Sequence, residues 1–211
     1  MAAMRVNPTR MELTRLKKRL ATAVRGHKLL KDKRDEMVRR FMELIKENKS
    51  LREYVEAQLG DVQRSFLGAS LTMAPEDMDE ALALPARQVK LEVSKNNIMS
   101  VTVPKIGFSI VEEERSFYPY GLLRTSGELD VAVDKLTEAL PSLLRLAELE
   151  KTCNMLADEI EKTRRRVNAL EYVMIPQLKE TIQYITMKLE ENERGTLIRL
   201  MKMKDMMRKD G

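Results

Sequence analysis

Apolar side chains recur by alternating steps of three and four along the first third of this chain, and no other feature constrains the fold as strongly. One row reads Leu13, Leu20, His27, Arg34, Phe41, Asn48, Val55 and Val62. The other reads Leu16, Ala23, Leu30, Met37, Leu44, Leu51, Gln58 and Ser65. Eleven of these sixteen positions are apolar, and a 3.5-residue period held over so many heptads is the pattern of a coiled coil. A helix from Thr9 to Phe66 would be about 85 Å long. Such a length cannot be buried inside a domain of 211 residues, so the pattern demands a partner helix.

Proline placement shows where that partner lies. Pro8 is followed by none until Pro75; Pro85, Pro104, Pro119 and Pro141 come next, and after them only Pro176. Proline breaks the helical ladder, so the proline-poor outer segments are where long helices survive. Asn7-Pro8 and the box Thr9-Arg10-Met11-Glu12 both offer a start for the first helix. In the last segment Thr125-Ser126-Gly127-Glu128 is a second candidate box. Leu129, Val133, Leu136, Leu140, Leu143 and Ala147 follow at helical spacing, with Pro141 predicting a bend or a break. The rows then run through Leu149, Cys153, Leu156, Ile160, Thr163, Val167, Leu170 and Met174. At Pro176 the step changes, with Leu178 and Ile182 each four residues on. Regularity returns through Ile185, Leu189, Asn192, Thr196, Leu200 and Met203. The irregularity reads as a stutter, which straightens a supercoil, beside a proline that kinks the helix.

The two long helices are of similar length and joined by a compact middle, so they are expected to pair antiparallel, with Leu16 in the neighbourhood of Leu200. The expected organisation is a helix over 1–67, a middle segment over 68–126 and a second helix over 127–211. In the middle, Val89, Leu91 and Val93 alternate with polar residues, and Ile98, Val101 and Val103 follow Asn96-Asn97. This predicts a β-hairpin turning near Asn96-Asn97, with Pro104 closing its second strand. A short helix is predicted from Pro75. Glu112-Glu113-Glu114 and Phe117-Tyr118-Pro119-Tyr120-Gly121 read as loop. The fold class is therefore all-α dominated: a long antiparallel two-helix coiled coil whose small middle segment holds a β-hairpin and a short helix.

Composition narrows the chemistry. With 34% charged residues, 4% aromatic and no Trp, the chain suits helices burying a stripe rather than a thick core. Cys153 is alone, which excludes an internal disulfide framework and fits a reducing cytoplasm. With His27 as the only histidine, a Cys/His zinc site is excluded. No window is long and apolar enough to span a bilayer, and the basic start is followed by no apolar signal region. A cytoplasmic chain without membrane insertion is expected. There is no phosphate loop and no nucleophile elbow. His27, Arg34 and Asn48 fall in the seam, where polar side chains set register, and Cys153 reads as a small buried hydrophobe. No catalytic residue, metal or cofactor is expected.

Charge is uneven along the chain. Residues 1–40 carry a net charge of +9 and residues 194–211 of +4, whereas residues 70–150 carry −6. Antiparallel pairing would bring the two basic ends together and predicts an acidic neighbour there. Nucleic acid is not expected to be that neighbour. The cations are interleaved with acids, and neither a stacking platform nor a reading motif is present. Met201, Met203, Met206 and Met207 offer an adaptable surface for a protein partner or for packing of the helix end.

Three stretches carry a resemblance. Asn7-Pro8-Thr9-Arg10-Met11, Leu29-Leu30-Lys31-Asp32-Lys33-Arg34-Asp35, and above all Thr163-Arg164-Arg165-Arg166-Val167-Asn168-Ala169-Leu170-Glu171 followed by Ile175-Pro176 closely resemble the D subunit of V-type and archaeal A-type rotary ATPases. The resemblance covers both outer segments and is weaker from Gly68 to Ser126. Arg164 and Pro141 depart from the family's pattern. The resemblance implies a non-catalytic central-stalk rotor shaft coupling ATP synthesis or hydrolysis to proton or sodium translocation. The implied partners are the catalytic and regulatory subunits of the hexamer, the small F subunit and the subunit capping the membrane rotor ring, all on the cytoplasmic face. Arg10, Arg15, Lys18, Lys202 and Arg208 are the expected contacts to acidic loops of the hexamer. Arg165, Arg166 and Asn168 would meet either the hexamer or the first helix near Asn48. The hairpin from Val89 to Val103 is the candidate for modulating turnover or meeting neighbouring stalk subunits. A coiled-coil scaffold or chaperone is the alternative; it would self-associate and form no complex with the F subunit.

Overall fold

The computed structural model describes residues 6–83, 88–111, 118, 120–121 and 124–209. Its elements are α1 (Arg10–Thr72), α2 (Pro75–Leu82), β1 (Gln88–Ile98), β2 (Val101–Val111), α3 (Gly127–Ala169) and α4 (Ile175–Lys209). A five-residue π-turn, Leu170–Met174, joins α3 to α4. This is the long helix pair with a small hairpin and a short helix that the apolar period and the prolines predict. Glu112, Glu113, Glu114, Phe117 and Pro119, read from sequence as loop, lie outside the described residues.

Thr9 caps α1. Its Oγ1 accepts the Glu12 N–H at 3.2 Å, satisfying one orphan donor of the first turn. The return half of the box is missing, because the Thr9 N–H goes to the Asn7 carbonyl at 2.9 Å and the Glu12 carboxylate faces Arg15 at 3.5 Å. Asn7 is therefore not the cap. Every position of the two rows named along α1 is buried or half-buried, the polar ones included.

The chain divides into two compact units, Met1–Glu36 with Ile160–Gly211, and Met37–Glu159. In the first, Leu16, Ala23, Leu178 and Ile185 are buried, and Leu13, Leu20, Leu170, Ile175, Ile182 and Leu189 pack against them. Each fully buried leucine or isoleucine is worth about 1.5–3 kcal/mol. Arg10 lies 2.5 Å from Glu193 and His27 3.4 Å from Glu171, which fixes an antiparallel register. Leu16 therefore sits beside the Leu178–Ile185 turns and not near Leu200, which is exposed. The expected seam row also ends early. Asn192, Thr196, Leu200 and Met203 are exposed because α1 begins opposite Glu193 and offers nothing to cover them.

Phase along the last helical run is set by the seam. Counting back from Leu149 and Cys153 by sevens gives Ala132, Ala139 and Leu146 in one row and Lys135 and Ser142 in the other, all buried or half-buried. The leucine-led row expected there is wrong in part, since Leu136 and Ala147 are exposed. Ala132, Ala139 and Ser142 fill three of the seam positions with small side chains. Pro141 then falls on the exposed side, and α3 runs through it unbroken. Beyond Val167 and Leu170 the next seam residues are Ile175 and Leu178, eight residues on where a heptad supplies seven. The π-turn absorbs that extra residue: the Ile175 N–H reaches the Leu170 carbonyl five residues back. The expected stutter, with Met174 on the seam and a four-residue step to Leu178, does not form: Met174 is exposed, and a one-residue insertion taken up by the π-turn changes the phase instead.

In the second unit the hairpin docks by its turn end. Val101 and Val103 are buried against Leu156, with Phe41, Leu44, Ile98 and Met155 around them. The turn is not at Asn96-Asn97 but at Met99-Ser100, both left-handed, with φ of 53° and 72°. Asn97 serves it from outside, its Oδ1 accepting the Ser100 N–H at 2.9 Å. Register explains the shift. The observed pairing sets Ile98 opposite Val101 and, on the other face, Val93 opposite Ile106 and Leu91 opposite Phe108. A turn at Asn96-Asn97 would set Glu92 opposite Val101 and Lys90 opposite Val103. Pro104 lies within β2, opposite Lys95, and does not close it. Counting from the tight closing pair, that is a pair exchanging no hydrogen bonds, so the missing N–H faces outward.

The far end of this unit is closed by α2. Ala69, Met73, Met78, Ala81 and Leu129 form its core, with Tyr120 packed on it. Ser126 caps α3, its Oγ accepting the Glu128 N–H at 3.1 Å. Tyr120 donates to Asp130 at 2.7 Å and Tyr118 to Asp134 at 3.1 Å, the two rings stacking at 5.7 Å. These bonds tie the first turns of α3 to the segment before it.

Candidate interaction surfaces

The polar seam residues His27, Arg34 and Asn48 are half-buried. His27 is half-buried against Glu171. The Arg34 guanidinium folds onto Asp35, with Nη2 2.7 Å from Oδ1. Asn48 lines a groove of about 440 Å³ with Phe41, Ile45, Arg52, Glu150, Cys153 and Asn154. Arg52 closes on Glu150 across that groove, and the contact raises the Arg52 pKa further above its ordinary value. Burial pushes the Cys153 thiol up, and Glu150 and Glu47 push the same way. A thiol so placed is a poor nucleophile. Burial and the Asp130 bond lift the Tyr120 phenol well above its usual range. Among the described residues no cluster of three or more His, Cys, Asp or Glu is arranged to hold a metal ion. No described helix is long and apolar enough to cross a membrane.

The expected contact residues are placed as follows. Arg10 opens α1 and is held by Glu193, while Arg15 is held by Glu12 on the same helix. Lys18 is exposed. Lys202 and Arg208 are exposed on the last turns of α4, which carry an uncovered apolar set: Leu197, Ile198, Leu200, Met201, Met203, Met206 and Met207. Arg165 turns to Glu161 on its own helix. Arg166 and Asn168 are exposed. Arg10, Lys202 and Arg208 thus belong to one helix-pair end; Arg165, Arg166 and Asn168 belong to the run just before the π-turn.

One surface carries no direct signal in the sequence, and the hairpin, expected as a contact element, shows a face that the sequence does not specify. The π-turn exposes Tyr172, Val173 and Met174 in succession. The eight-residue step before Pro176 marks the turn but not its consequence for the outer face. On the hairpin, Leu91, Val93 and Phe108 stand exposed on the face opposite Val101 and Val103. Alternation put apolar residues in β1 but could not say which face the helices would cover.

A family model for the ATP synthase D subunit matches residues 12–205, nearly the whole helix pair with the hairpin between. The chain belongs to the ATP synthase D-subunit family. A V-type ATP synthase D subunit from Thermoanaerobacter sp. (strain X514) is 57% identical over 209 residues, covering 99% of this chain and 100% of the relative. One from Acetivibrio thermocellus is 60% identical over 208 residues, covering 98% and 94%. One from Fusobacterium nucleatum is 58% identical over 210 residues, covering all of both. The match extends across the middle segment, where the sequence resemblance alone is weaker. As a member of the D-subunit family, this chain is a stalk component of a multi-subunit V-type ATP synthase.

Proposed function

We propose that this chain is the non-catalytic central shaft of a rotary ATP synthase, coupling ATP synthesis or hydrolysis in a hexamer to proton or sodium translocation by a membrane ring. The observation that carries the reading is the end of α4. From Arg194 to Lys209 the helix runs about 24 Å past the Glu193–Arg10 pair, basic and methionine-rich, with its seam face uncovered. An isolated protein gains nothing from such an end. Inside the cavity of a hexamer, the apolar face is buried and the cations meet acidic loops. Arg10, Arg15, Lys18, Lys202 and Arg208 make those contacts, and Arg165, Arg166 and Asn168 meet the hexamer further along.

An antiparallel pair has no rotational symmetry, so it presents a different face to each catalytic interface. Each interface state is favoured by its own contact with the shaft, and rotation exchanges the contacts in turn. That is coupling through differential binding. Exposed ion pairs contribute about 0–1 kcal/mol each, so many of them guide rotation without trapping one angle. The seam must not slip, and His27, Arg34 and Asn48 hold its register. The exposed hairpin face meets the F subunit or the subunit capping the ring, and it modulates turnover. The assembly lies on the cytoplasmic face of the membrane, with no part of this chain inserted.

The test is reconstitution. The chain, added with the F subunit to a preformed hexamer, is expected to give a one-to-one-to-one complex by native mass spectrometry and to change ATPase turnover. Failure to associate at low-micromolar concentration rejects the shaft reading. Self-association without capture of the F subunit favours the scaffold reading.

A further inference from the structure

Thioethers gather where α4 runs out of a partner helix. Leu178, Ile182, Ile185 and Leu189 hold its seam row against α1. Past the Glu193–Arg10 pair, α1 has no turns left to cover the continuation of that row. There the row passes through Leu200 to Met203, and Met206 and Met207 stand beside it. At about 100° per residue these four share one face roughly 120° wide, with Met201 on the opposite side. Met203 is 61% exposed, Met206 60% and Met207 76%, whereas Met37, Met73 and Met78 are buried. Among Leu, Ile, Val and Met, only Met carries a sulfur open to oxidation. The change from Leu and Ile to Met therefore brings a reactivity to this face that packing alone does not require.

We propose that Met203, Met206 and Met207 form a reversible oxidation site that gates entry of this helix end into its assembly. The oxidant is a peroxide. A thioether sulfur attacks one peroxide oxygen, the O–O bond breaks and an S–O bond forms. With hydrogen peroxide the second oxygen leaves as water, so the sulfur loses the two electrons that the peroxide gains. The sulfoxide is a polar acceptor where the thioether was apolar, and burying it against an apolar wall leaves that acceptor unsatisfied. In the free chain the three sulfurs are open to solvent. Once the end is enclosed they are not, so the reaction acts before entry and holds the oxidised chain out. Cys153 does not intercept the oxidant. Burial, Glu150 and Glu47 keep its thiol protonated, and the thiolate is the reactive form. The inference rests on the shaft reading and adds a control on assembly to it.

The experiment treats the full-length chain with hydrogen peroxide, maps oxygen addition by peptide mass spectrometry, and offers the chain with the F subunit to a preformed hexamer. Met203, Met206 and Met207 are expected to oxidise roughly fivefold faster than Met37, Met73 and Met78, and capture by native mass spectrometry to fall roughly fivefold. A methionine sulfoxide reductase with a thiol reductant is expected to restore it. The Met203→Leu/Met206→Leu/Met207→Leu variant conserves volume and is expected to match the parent in helical circular dichroism and in capture. It is expected to stay captured after the same peroxide dose, although Met11, Met187 and Met201 are still exposed to it. An untreated parent that is not captured overturns the shaft reading and the gate with it. A parent captured equally before and after oxidation of the three methionines overturns the gate alone. So does a leucine variant that loses capture as the parent does, because the loss then belongs to other methionines. Capture that the reductase does not restore overturns the site as a reversible one.

Discussion

Pro141 and Pro176 both lie within the last helical run, yet the backbone treats them differently. Around Pro141 the helix stays α, whereas Pro176 follows directly on a π-turn. Proline itself is the same in both places: it removes one donor and crowds the carbonyl four residues back. What differs is the seam. Ala132, Ala139 and Leu146 keep a strict seven-residue step across Pro141, so the helix has no reason to change phase, and the ring sits on the exposed side. Across the π-turn the step from Val167 to Ile175 and from Leu170 to Leu178 is eight. A plain α-helix would carry Leu178, fully buried, about 100° off the seam. The phase of the apolar rows decides where the helix departs from regularity, and proline only makes the departure easier.

Single-residue deletions break this comparison most sharply. Deleting Pro141 rotates the start of α3 against the rest, turning Leu129, Ala132 and Ala139 out of contact. The loss of Leu129 from its cluster with Ala69, Met73 and Met78 is expected to cost about 3 kcal/mol or more, seen as a lower thermal midpoint by circular dichroism. Deleting Val173 instead returns the step to seven. The chain is then expected to stay folded, with Leu178 and Ile185 still protected in hydrogen exchange. Equal damage from the two deletions would show that phase is not the controlling quantity. Leu178→Ala comes next, expected to lose about 2–5 kcal/mol in a denaturant titration because the side chain is fully buried among Leu16 and Ile185.

Replacing the prolines themselves sharpens the same point at smaller amplitude. Pro141→Ala restores an N–H opposite the Thr137 carbonyl in an otherwise regular helix, and is expected to stabilise by about 1–3 kcal/mol. Pro176→Ala is expected to gain less, since the ladder is already opened by the π-turn, and to leave Tyr172 exposed to surface labelling. Conversion of the π-turn to plain α-helix in that variant would mean that proline, not the seam, creates it.

The same distinction explains what could be read in the sequence. The α1 rows were legible because each repeats over many heptads, so occasional polar entries such as His27 and Asn48 did not hide the period. At the start of α3 the leucines do not mark the seam, because phase and not side-chain size decides which positions are covered. Ala132 and Ala139 are small and inconspicuous, while Leu136 is large and exposed. The hairpin turn departs from its sequence signal for a related reason. Asn tolerates left-handed backbone, so Asn96-Asn97 looked like the turn, but cross-strand pairing of Val93 with Ile106 and Leu91 with Phe108 outweighs the strain at Met99 and Ser100. The cationic contact candidates were legible as residue types. Their grouping was not, because it depends on where α1 begins relative to Glu193 and on the π-turn.

The smallest effect concerns how the phase before Pro141 is anchored. Tyr120 donates to Asp130 at 2.7 Å, and burial together with that bond holds its phenol protonated well above the usual range. In the unfolded chain the same group ionises near pH ~10. Above that pH the unfolded state sheds a proton that the folded state keeps, so stability falls as pH rises; below it the contribution is complete. Tyr120→Phe is expected to lower stability by about 1–2 kcal/mol at neutral pH and to flatten the alkaline part of the stability profile, followed by denaturant titration at pH values on either side of the phenol's ordinary range. Because Tyr118 still holds Asp134, the start of α3 should keep its phase in this variant, and Leu129 should remain protected from exchange. Loss of that protection would make Tyr120, rather than the seven-residue step through Pro141, the element that sets the angle of the helix.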